Sequence, residues 1–273
     1  MYRFDRNPVP GQAVQCNVEE FHPGIQTRRA AAGIPTWKRV LDVTCVLMAL
    51  PVLIPAGILI AVFIKIMSPG PAFFRQQRVG YFGRRFMCLK FRTMKVNADT
   101  SVHQAHLKEL MTGNGPTRKL ECSGDARLIR GGVLLRSLGV DELPQLINVL
   151  RGEMSLVGPR PCTPYEFELF SARHKRRCEA PPGLTGLWQV SGKNKTTFEE
   201  MMNLDLRYVE RSSPWLDVKI ILLTIPAILA LVWEMKVLPR MARHRAARAA
   251  QTLKPAYAQE AEGRFAGTVP ARK

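Results

Sequence analysis

The longest apolar stretch of the chain covers residues 43–64, where no residue is charged and Thr44 is the one conventional polar side chain. As a straight helix this stretch would be about 33 Å long at roughly 1.5 Å per residue, which is enough to cross the hydrocarbon core of a bilayer. It starts too late for a cleavable secretory signal, and no small-residue cleavage site follows it. The pattern therefore predicts a membrane helix that the protein retains.

Pro51 and Pro55 lie inside this stretch, where each removes a backbone donor and favours a bend. Basic residues flank it on both sides, so the positive-inside rule gives a single crossing no preferred direction. The flanking cations are Arg28, Arg29, Lys38 and Arg39 before it, and Lys65, Arg75, Arg78, Arg84 and Arg85 after it. We predict a re-entrant helix-break-helix over residues 38–67 that bends at the prolines and returns to the cytoplasmic side. A kinked single-pass helix is the alternative.

A second apolar run covers residues 220–233 and is interrupted by Pro226. It is too short to span a bilayer comfortably, so we predict a helix that lies at the membrane interface or packs on the protein, with a buried core helix as the alternative. Residues 199–211 carry apolar positions at helical spacing among charges, which predicts an amphipathic helix.

Residues 86–94 alternate in polarity, which predicts a β-strand with Lys90 and Arg92 on one face and Leu89 and Phe91 on the other. Two cations on one face can bind phosphate, although a solvated strand face is the simpler interpretation of the pair in isolation.

The remaining segments are predicted to be irregular. Residues 97–124 are polar and turn-rich, which indicates a surface excursion, and His103 and His106 within it lack a partner ligand for a metal site. Residues 1–37 are predicted to be a weakly ordered arm, and residues 236–273 a basic, largely disordered tail. The tail can bind anionic lipid headgroups or simply keep the protein soluble.

The chain has 40 Lys and Arg against 22 Asp and Glu, a formal charge of +18, which suits a polyanionic partner. The apolar segment favours the anionic face of a membrane, and because no recognisable nucleic-acid module is present we do not expect nucleic acid as a partner. Six cysteines show no C-x-x-C pair and no regular spacing, so neither a zinc site nor a disulfide framework is indicated.

The candidate chemistry centres on Asp141, Glu142 and Arg160. Adjacent carboxylates can bind a divalent cation, and an ionised aspartate can attack a phosphoryl group whose charge is neutralised. Arg160 lies between two prolines and offers forked donors to phosphoryl oxygens with little backbone freedom to lose. Asp141 also fits the N-cap of a helix that has Pro144 in its first turn and ends at Gly152, and taken alone this structural role is the simpler one.

Seven ordered sequence blocks carry a family resemblance. They are Lys38-Arg39, Ser68-Pro-Gly-Pro, Phe74-Arg-Gln76-x-Arg78-x-Gly80, Lys90-Phe-Arg92-Thr-Met94, Asp141-Glu142-Leu-Pro-Gln-Leu-x-Asn148-Val-Leu, Gly158-Pro-Arg160-Pro and Pro182-Gly-Leu-Thr185-Gly-Leu-Trp-Gln189-Val-Ser-Gly192. The chain resembles the bacterial sugar transferases, the monotopic polyprenyl-phosphate phosphoglycosyl transferases that start exopolysaccharide, O-antigen and glycoconjugate assembly. The resemblance covers about residues 38–235, and the chain looks like a short member without the extra amino-terminal membrane helices.

The resemblance implies an α/β mixed, helix-dominated fold with a small sheet, and a catalytic domain over residues 68–235 on the cytoplasmic face of the inner membrane. It implies that Asp141 attacks the sugar-bearing phosphate of a UDP-sugar, that UMP leaves, and that polyprenyl phosphate then takes the phosphosugar from the enzyme. Glu142 would bind Mg²⁺ with Asp141 or handle a proton. The expected phosphate-binding residues are Arg160, Lys90, Arg136 and Arg92.

Two positions depart from the family pattern. The helix break falls at Ile54-Pro55 where relatives commonly have Ser-Pro, so a polar group that can satisfy a freed carbonyl is lost. Pro181 stands where many relatives carry a basic residue, so one phosphate contact is missing or is supplied by Arg176 or Arg177.

A non-catalytic scaffold, anchored in the membrane and binding anionic lipid or partner proteins through its basic surface, is the alternative function. No local signature separates glucose, galactose and N-acetylated hexoses as the transferred sugar, and none specifies the oligomeric state.

Overall fold

The computed structural model describes residues 33–95, 127–192 and 196–229. Within these residues helices dominate and two short, two-stranded sheets accompany them, which confirms the helix-dominated α/β class. One compact unit ends at Ala227 and a second begins at Ile228. The excursion predicted over residues 97–124, nearly all of the arm over 1–37 and the tail over 236–273 lie outside the described residues.

The elements follow one another in a simple order. The helices are α1 (Thr36–Met67), α2 (Gly132–Leu138), α3 (Gln145–Arg151), α4 (Pro164–Leu169), α5 (Ala172–Lys175), α6 (Leu187–Val190), α7 (Phe198–Arg211) and α8, whose described part is residues 214–229. The strands are β1 (Phe73–Val79), β2 (Arg85–Phe91), β3 (Ser155–Val157) and β4 (Gly183–Thr185). Short 3₁₀ turns lie at Tyr81–Gly83, Val140–Glu142 and Arg176–Glu179.

The two sheets differ in direction. β1 and β2 form an antiparallel hairpin that places Phe74 opposite Lys90. β3 and β4 run parallel, with Ser155 opposite Gly183. The strand predicted over residues 86–94 is therefore present, but it ends at Phe91, so Arg92 lies beyond it.

The predicted membrane helix, α1, is one continuous helix with Pro51 and Pro55 inside it. Its length and composition are sufficient to cross a membrane. No non-helical segment separates the two predicted halves. One face exposes large apolar side chains to more than half of their full area: Val40, Leu47, Met48, Val52, Ile54, Ile58, Leu59, Val62 and Ile66.

The opposite face of α1 packs on the rest of the protein near both of its ends. Toward the amino end, Val46 belongs to a buried cluster that includes Cys88 of β2. Toward the carboxyl end, Ile64 belongs to a buried cluster that includes Phe91, three residues further along the same strand. Residues of one strand therefore belong to both of the clusters that α1 joins.

The basic pair that opens α1 has structural partners. The Lys38 ammonium is buried, donates to the Tyr208 hydroxyl at 2.9 Å and pairs with the Asp217 carboxylate. Arg39 donates to two backbone carbonyls in the last turn of α3. These contacts join the start of α1 to α3, α7 and α8.

The last two helices of the part of the chain that the structure describes both have a buried face. The amphipathic helix predicted over residues 199–211 is α7, which begins with a capping box between Thr197 and Glu200. In α8, Asp217 and Ile220 are buried, which agrees with packing on the protein. Apolar side chains on its other face are exposed, namely Trp215, Leu222, Leu223 and Ile225.

Candidate active site

The acidic pair lies in the 3₁₀ turn Val140–Glu142 between α2 and α3. Gly139 ends α2 in the left-handed conformation (φ 70°), which allows the chain to turn into the pair. Asp141 is buried, with 8% of its surface exposed, and Glu142 is half-buried. A buried carboxylate interacts with charge more strongly than one in water, because the protein interior screens less.

The prediction that Asp141 is the N-cap of the following helix is wrong. α3 begins at Gln145, and Pro144 occupies the N-cap position with helical backbone angles. Asp141 belongs to the 3₁₀ turn that precedes α3, so it lies about one turn before the position that could cap α3. The predicted end of that helix is confirmed, because Gly152 follows it in the left-handed conformation.

Glu142 joins two cations that come from separate parts of the chain. The Lys90 ammonium of β2 lies 3.2 Å from Glu142 Oε1, and Arg160 Nη2 donates to the same oxygen at 2.9 Å. The structure therefore brings together four of the predicted site residues, namely Asp141, Glu142, Lys90 and Arg160.

The charges in this cluster influence one another. Glu142 raises the pKa of the Arg160 guanidinium, and Asp141 adds to the effect. Burial lowers the pKa of Lys90, because it disfavours the ammonium, while Glu142 opposes that shift. Two cations held at one carboxylate make a site that favours a phosphate or diphosphate group.

Asn148 fixes the helix after the acidic pair against β2. Its side-chain nitrogen donates to Met87 O at 2.9 Å, and its side-chain oxygen accepts from Leu89 N at 3.1 Å. The residue is fully buried. It thereby sets the distance between the acidic pair and Lys90, a role that the sequence reasoning did not assign. A polar residue inside an otherwise apolar run was the available signal.

The loop that carries Arg160 packs backbone to backbone on β4. Gly158 N donates to Thr185 O at 2.9 Å, and Gly183 N donates to Pro159 O at 2.9 Å. A Cβ atom at Gly158 would lie 2.1 Å from Pro181 O, so no side chain fits there. This close approach brings the Gly-Pro-Arg-Pro and Pro-Gly-Leu-Thr-Gly blocks into backbone contact.

Two guanidinium groups, of buried Arg177 and half-buried Arg78, donate to the backbone of the same loop. Arg177 Nη2 donates to the carbonyl of Arg160 at 3.0 Å and pairs with Asp205 at 2.6 Å. Arg78 Nη1 donates to the carbonyl of Pro161 at 3.0 Å. Arg177 is thus engaged with the loop backbone. These partners come from distant parts of the sequence, and the sequence reasoning missed both contacts.

The other predicted cations lie elsewhere. Arg92 is buried and donates to the carbonyls of Ser68 and Pro69 at 2.8 and 2.7 Å, which holds the turn after α1. Arg136 lies half-buried in the last turn of α2, shortly before the acidic pair. Arg176, the alternative to Arg177, is 40% exposed and has two carboxylates within 4 Å.

Comparison with known proteins identifies the family. The family model for bacterial sugar transferases matches residues 34–231. The chain is 43% identical over 217 residues to the UDP-glucose:undecaprenyl-phosphate glucose-1-phosphate transferase of Caulobacter vibrioides, covering 77% of this chain and 75% of that protein. It is 40% identical over 197 residues to the exopolysaccharide production protein ExoY of Sinorhizobium fredii, covering 70% and 84%.

A longer relative matches over part of its length. The chain is 42% identical over 193 residues to the galactosyl transferase CpsE of Streptococcus agalactiae, covering 70% of this chain, and it spans only 42% of that protein. Lys90, Asp141, Glu142 and Arg160 all lie within the range that the family model matches. The chain belongs to the bacterial sugar transferase family.

Proposed function

We propose that the protein transfers a sugar-1-phosphate from a UDP-sugar to polyprenyl phosphate on the cytoplasmic face of the inner membrane, and so initiates exopolysaccharide or glycoconjugate assembly. The observation that carries the proposal is the cluster in which Glu142 joins Lys90 and Arg160 beside the buried Asp141. The relatives support the reaction class, since one is named for glucose-1-phosphate transfer to undecaprenyl phosphate and another for galactosyl transfer. Glucose and galactose are both candidate sugars.

In the first step, Asp141 forms a bond to the phosphorus atom that carries the sugar. The bond from that phosphorus to the bridging oxygen breaks, and its electron pair leaves with UMP. Lys90 and Arg160 lie where they can neutralise charge on the diphosphate, which is the main assistance that phosphoryl transfer requires. The product of this step is an aspartyl phosphosugar.

In the second step, a phosphate oxygen of polyprenyl phosphate attacks the same phosphorus and releases Asp141 as a carboxylate. The product is a polyprenyl diphosphosugar. The pairing of Glu142 with both cations supports a role in orienting Lys90 and Arg160 between the two steps.

Asp141 and Glu142 fit Mg²⁺ in their donor chemistry. Among the described residues no group of three or more His, Cys, Asp or Glu side chains is placed to hold a metal. Mg²⁺ is commonly bound through one or two carboxylates together with substrate phosphates, so this pair suffices if the UDP-sugar supplies the remaining oxygens. Bound Mg²⁺ would neutralise charge on the diphosphate.

The packing of α1 supports a re-entrant arrangement in the membrane. A helix of 32 residues is about 48 Å long if straight, so a spanning helix would carry one end far from a domain on the other side. Val46 and Ile64, 18 positions apart on this helix, belong to buried core clusters that also contain Cys88 and Phe91 of β2. We infer that both flanks lie on the cytoplasmic side and that the exposed apolar face meets lipid.

The test of the proposed function is UMP release from a panel of UDP-sugars by the protein in vesicles that contain undecaprenyl phosphate and Mg²⁺. We expect Asp141→Asn to abolish UMP release, while Glu210→Gln, a change at an exposed carboxylate, leaves it intact. Intact mass after incubation with the donor alone should show one added phosphosugar in the parent and none in Asp141→Asn. UMP release that survives Asp141→Asn would refute the nucleophile, and its absence with every donor would favour the scaffold.

A further inference from the structure

Two buried cysteines lie in contact beside the loop that carries Arg160. Cys162 follows Arg160 by two residues, and Cys178 lies in the 3₁₀ turn Arg176–Glu179. Both side chains belong to one buried apolar cluster, and a hydrogen bond joins the two thiols. The fold creates this thiol pair, since its members come from separate elements of the chain.

The backbone next to the thiol pair holds the candidate site in place. The carbonyl of Cys162 accepts a hydrogen bond from Val79 N at 2.9 Å. Arg177, the residue before Cys178, donates to the carbonyl of Arg160 at 3.0 Å. A change in the distance between the two cysteines therefore acts on the contacts that position the Arg160 loop.

A small cavity borders both the thiol pair and the candidate site. Arg160, Cys162, Arg177 and Cys178 all line it, and its volume is about 10 Å³. This is close to the smallest volume that holds one water molecule. The oxidant that suits it is hydrogen peroxide, because a bulky oxidant such as oxidised glutathione is far too large.

The two thiols differ in reactivity. The hydrogen bond from Cys162 lowers the pKa of the Cys178 thiol, and the Arg177 guanidinium adds to this effect. The same hydrogen bond raises the pKa of Cys162. Because the thiolate is the nucleophilic form of cysteine, Cys178 is the residue that reacts first. Cys88 is also buried but lies in another cluster, and burial raises its pKa.

We propose that Cys162 and Cys178 form a reversible disulfide in the presence of hydrogen peroxide, and that this bond slows sugar-phosphate transfer by displacing the Arg160 loop. The two sulfur atoms of a disulfide lie about 2.0 Å apart, closer than two thiols in contact, so the bond pulls the two segments together. The effect on transfer rests on the proposed function, whereas formation of the disulfide does not. A disulfide on the cytoplasmic side of a membrane is typically transient, which suits a redox sensor.

The oxidation proceeds in two balanced steps. The Cys178 thiolate attacks one oxygen of hydrogen peroxide, the O–O bond breaks, and the departing hydroxide takes the thiol proton to become water. The sulfur of Cys162 then attacks the resulting sulfenic acid, forms the S–S bond and releases a second water. Two thiols are thereby oxidised to one disulfide while one peroxide is reduced to two waters.

The chemical test locates the disulfide in the full-length protein in detergent. The reduced protein is treated with hydrogen peroxide and unfolded, its remaining thiols are blocked with N-ethylmaleimide, and its peptides are mapped by mass spectrometry. We expect a peptide pair linked through Cys162 and Cys178, with Cys88 blocked as a free thiol. In Cys162→Ala, dimedone should label Cys178 as a sulfenic acid. Absence of the linked pair would overturn the proposal.

The functional test measures UMP release before and after peroxide treatment. We expect release by the parent to fall about tenfold, since a displacement of the order of 1 Å can cost about 100-fold, and to recover with dithiothreitol. Cys178→Ala should resist the treatment, while Cys88→Ala, the matched buried control, should respond as the parent does. Full activity of the disulfide-linked parent, or equal losses in the parent and Cys178→Ala, would overturn the switch.

The two tests separate this inference from the proposed function. A reduced parent that releases no UMP from any donor would count against the proposed function, and the linked peptides would still decide whether the disulfide forms.

Discussion

The guanidinium of Arg177 donates a hydrogen bond to the backbone carbonyl of Arg160 at 3.0 Å, and the same guanidinium pairs with the buried carboxylate of Asp205. Arg177 therefore binds the backbone of the loop that carries Arg160. The side chain of Arg160 bonds instead to Glu142.

We expect Arg177→Met to lower both stability and sugar-phosphate transfer. Removing one member of a buried ion pair leaves Asp205 uncompensated, at a cost of about 3–5 kcal/mol in the free energy of unfolding. The double variant Arg177→Met, Asp205→Leu removes both charges and should regain most of that stability. Its turnover should stay low, because the carbonyl of Arg160 still lacks its donor. Thermal unfolding in detergent and UMP release separate the two effects, and full recovery of both would show that Arg177 only stabilises the fold.

The alkaline limb of the pH–rate profile should reflect the loss of the proton from the Lys90 ammonium. Burial lowers its pKa, so its charge is present below that pKa and is lost at a pH under the ordinary lysine value of about 10.4. Glu142→Gln removes the anion that opposes the shift, so the alkaline limb should move to lower pH. Lys90→Arg keeps a cation over this range and should move the limb upward. Identical limbs in the parent and in Glu142→Gln would contradict this assignment.

The pH dependence of the parent's free energy of unfolding should also reflect the lowered pKa of Lys90. The unfolded chain keeps the Lys90 proton to higher pH than the native protein, because the native pKa is lowered. The contribution of Lys90 to stability should therefore increase as pH rises between the native and the unfolded pKa. Denaturant unfolding of the parent and Lys90→Met across this pH range measures that contribution.

Gly158→Ala should disrupt the site because the added methyl group would meet Pro181 O at 2.1 Å. The loop must shift away from β4, and Arg160 shifts with it, so we expect UMP release to fall by about 100-fold, as a displacement of the order of 1 Å can cause. Gly139→Asn is the control, since its added Cβ meets nothing within 4 Å and asparagine tolerates the left-handed conformation. Comparable losses in both variants would mean that the tight packing at Gly158 has no special importance.

Cysteine labelling tests the arrangement of α1 in the membrane. Thr36→Cys and Pro71→Cys place exposed thiols at the first residue of α1 and just after its end, in a background without the native cysteines. A membrane-impermeant maleimide should label both from the cytoplasmic side of inverted vesicles and neither from the other side. Labelling from opposite sides would establish a single-pass helix.

Parts of the site could be predicted because they depend on local pattern. The alternation of residues 86–91 is sufficient to predict a strand that contains Lys90. The same alternation misplaces Arg92, because the strand ends at Phe91 and the Arg92 guanidinium donates to the carbonyl of Ser68. The periodicity of a sequence predicts the face on which a residue lies only as far as the strand or helix extends.

Other parts depend on contacts between distant segments. The spacing of Asp141 from Pro144 fits a helix cap, but the 3₁₀ turn that contains Asp141 has no distinctive sequence by which it could be predicted. Arg177 could not be assigned, because both of its partners, the Arg160 carbonyl and Asp205, are fixed by tertiary packing. A glycine such as Gly158 signals a close approach, but only the structure identifies what approaches it.

Because Val46 and Ile64 belong to core clusters that also contain Cys88 and Phe91, the helix that is long and apolar enough to cross a membrane is also part of the protein core. Cutting the chain after Met67 would open those clusters to water along β2, the strand that carries Lys90. We expect a shortened protein made for solubility to lose part of the packing around the candidate site. We therefore expect this chain to need α1 in order to fold.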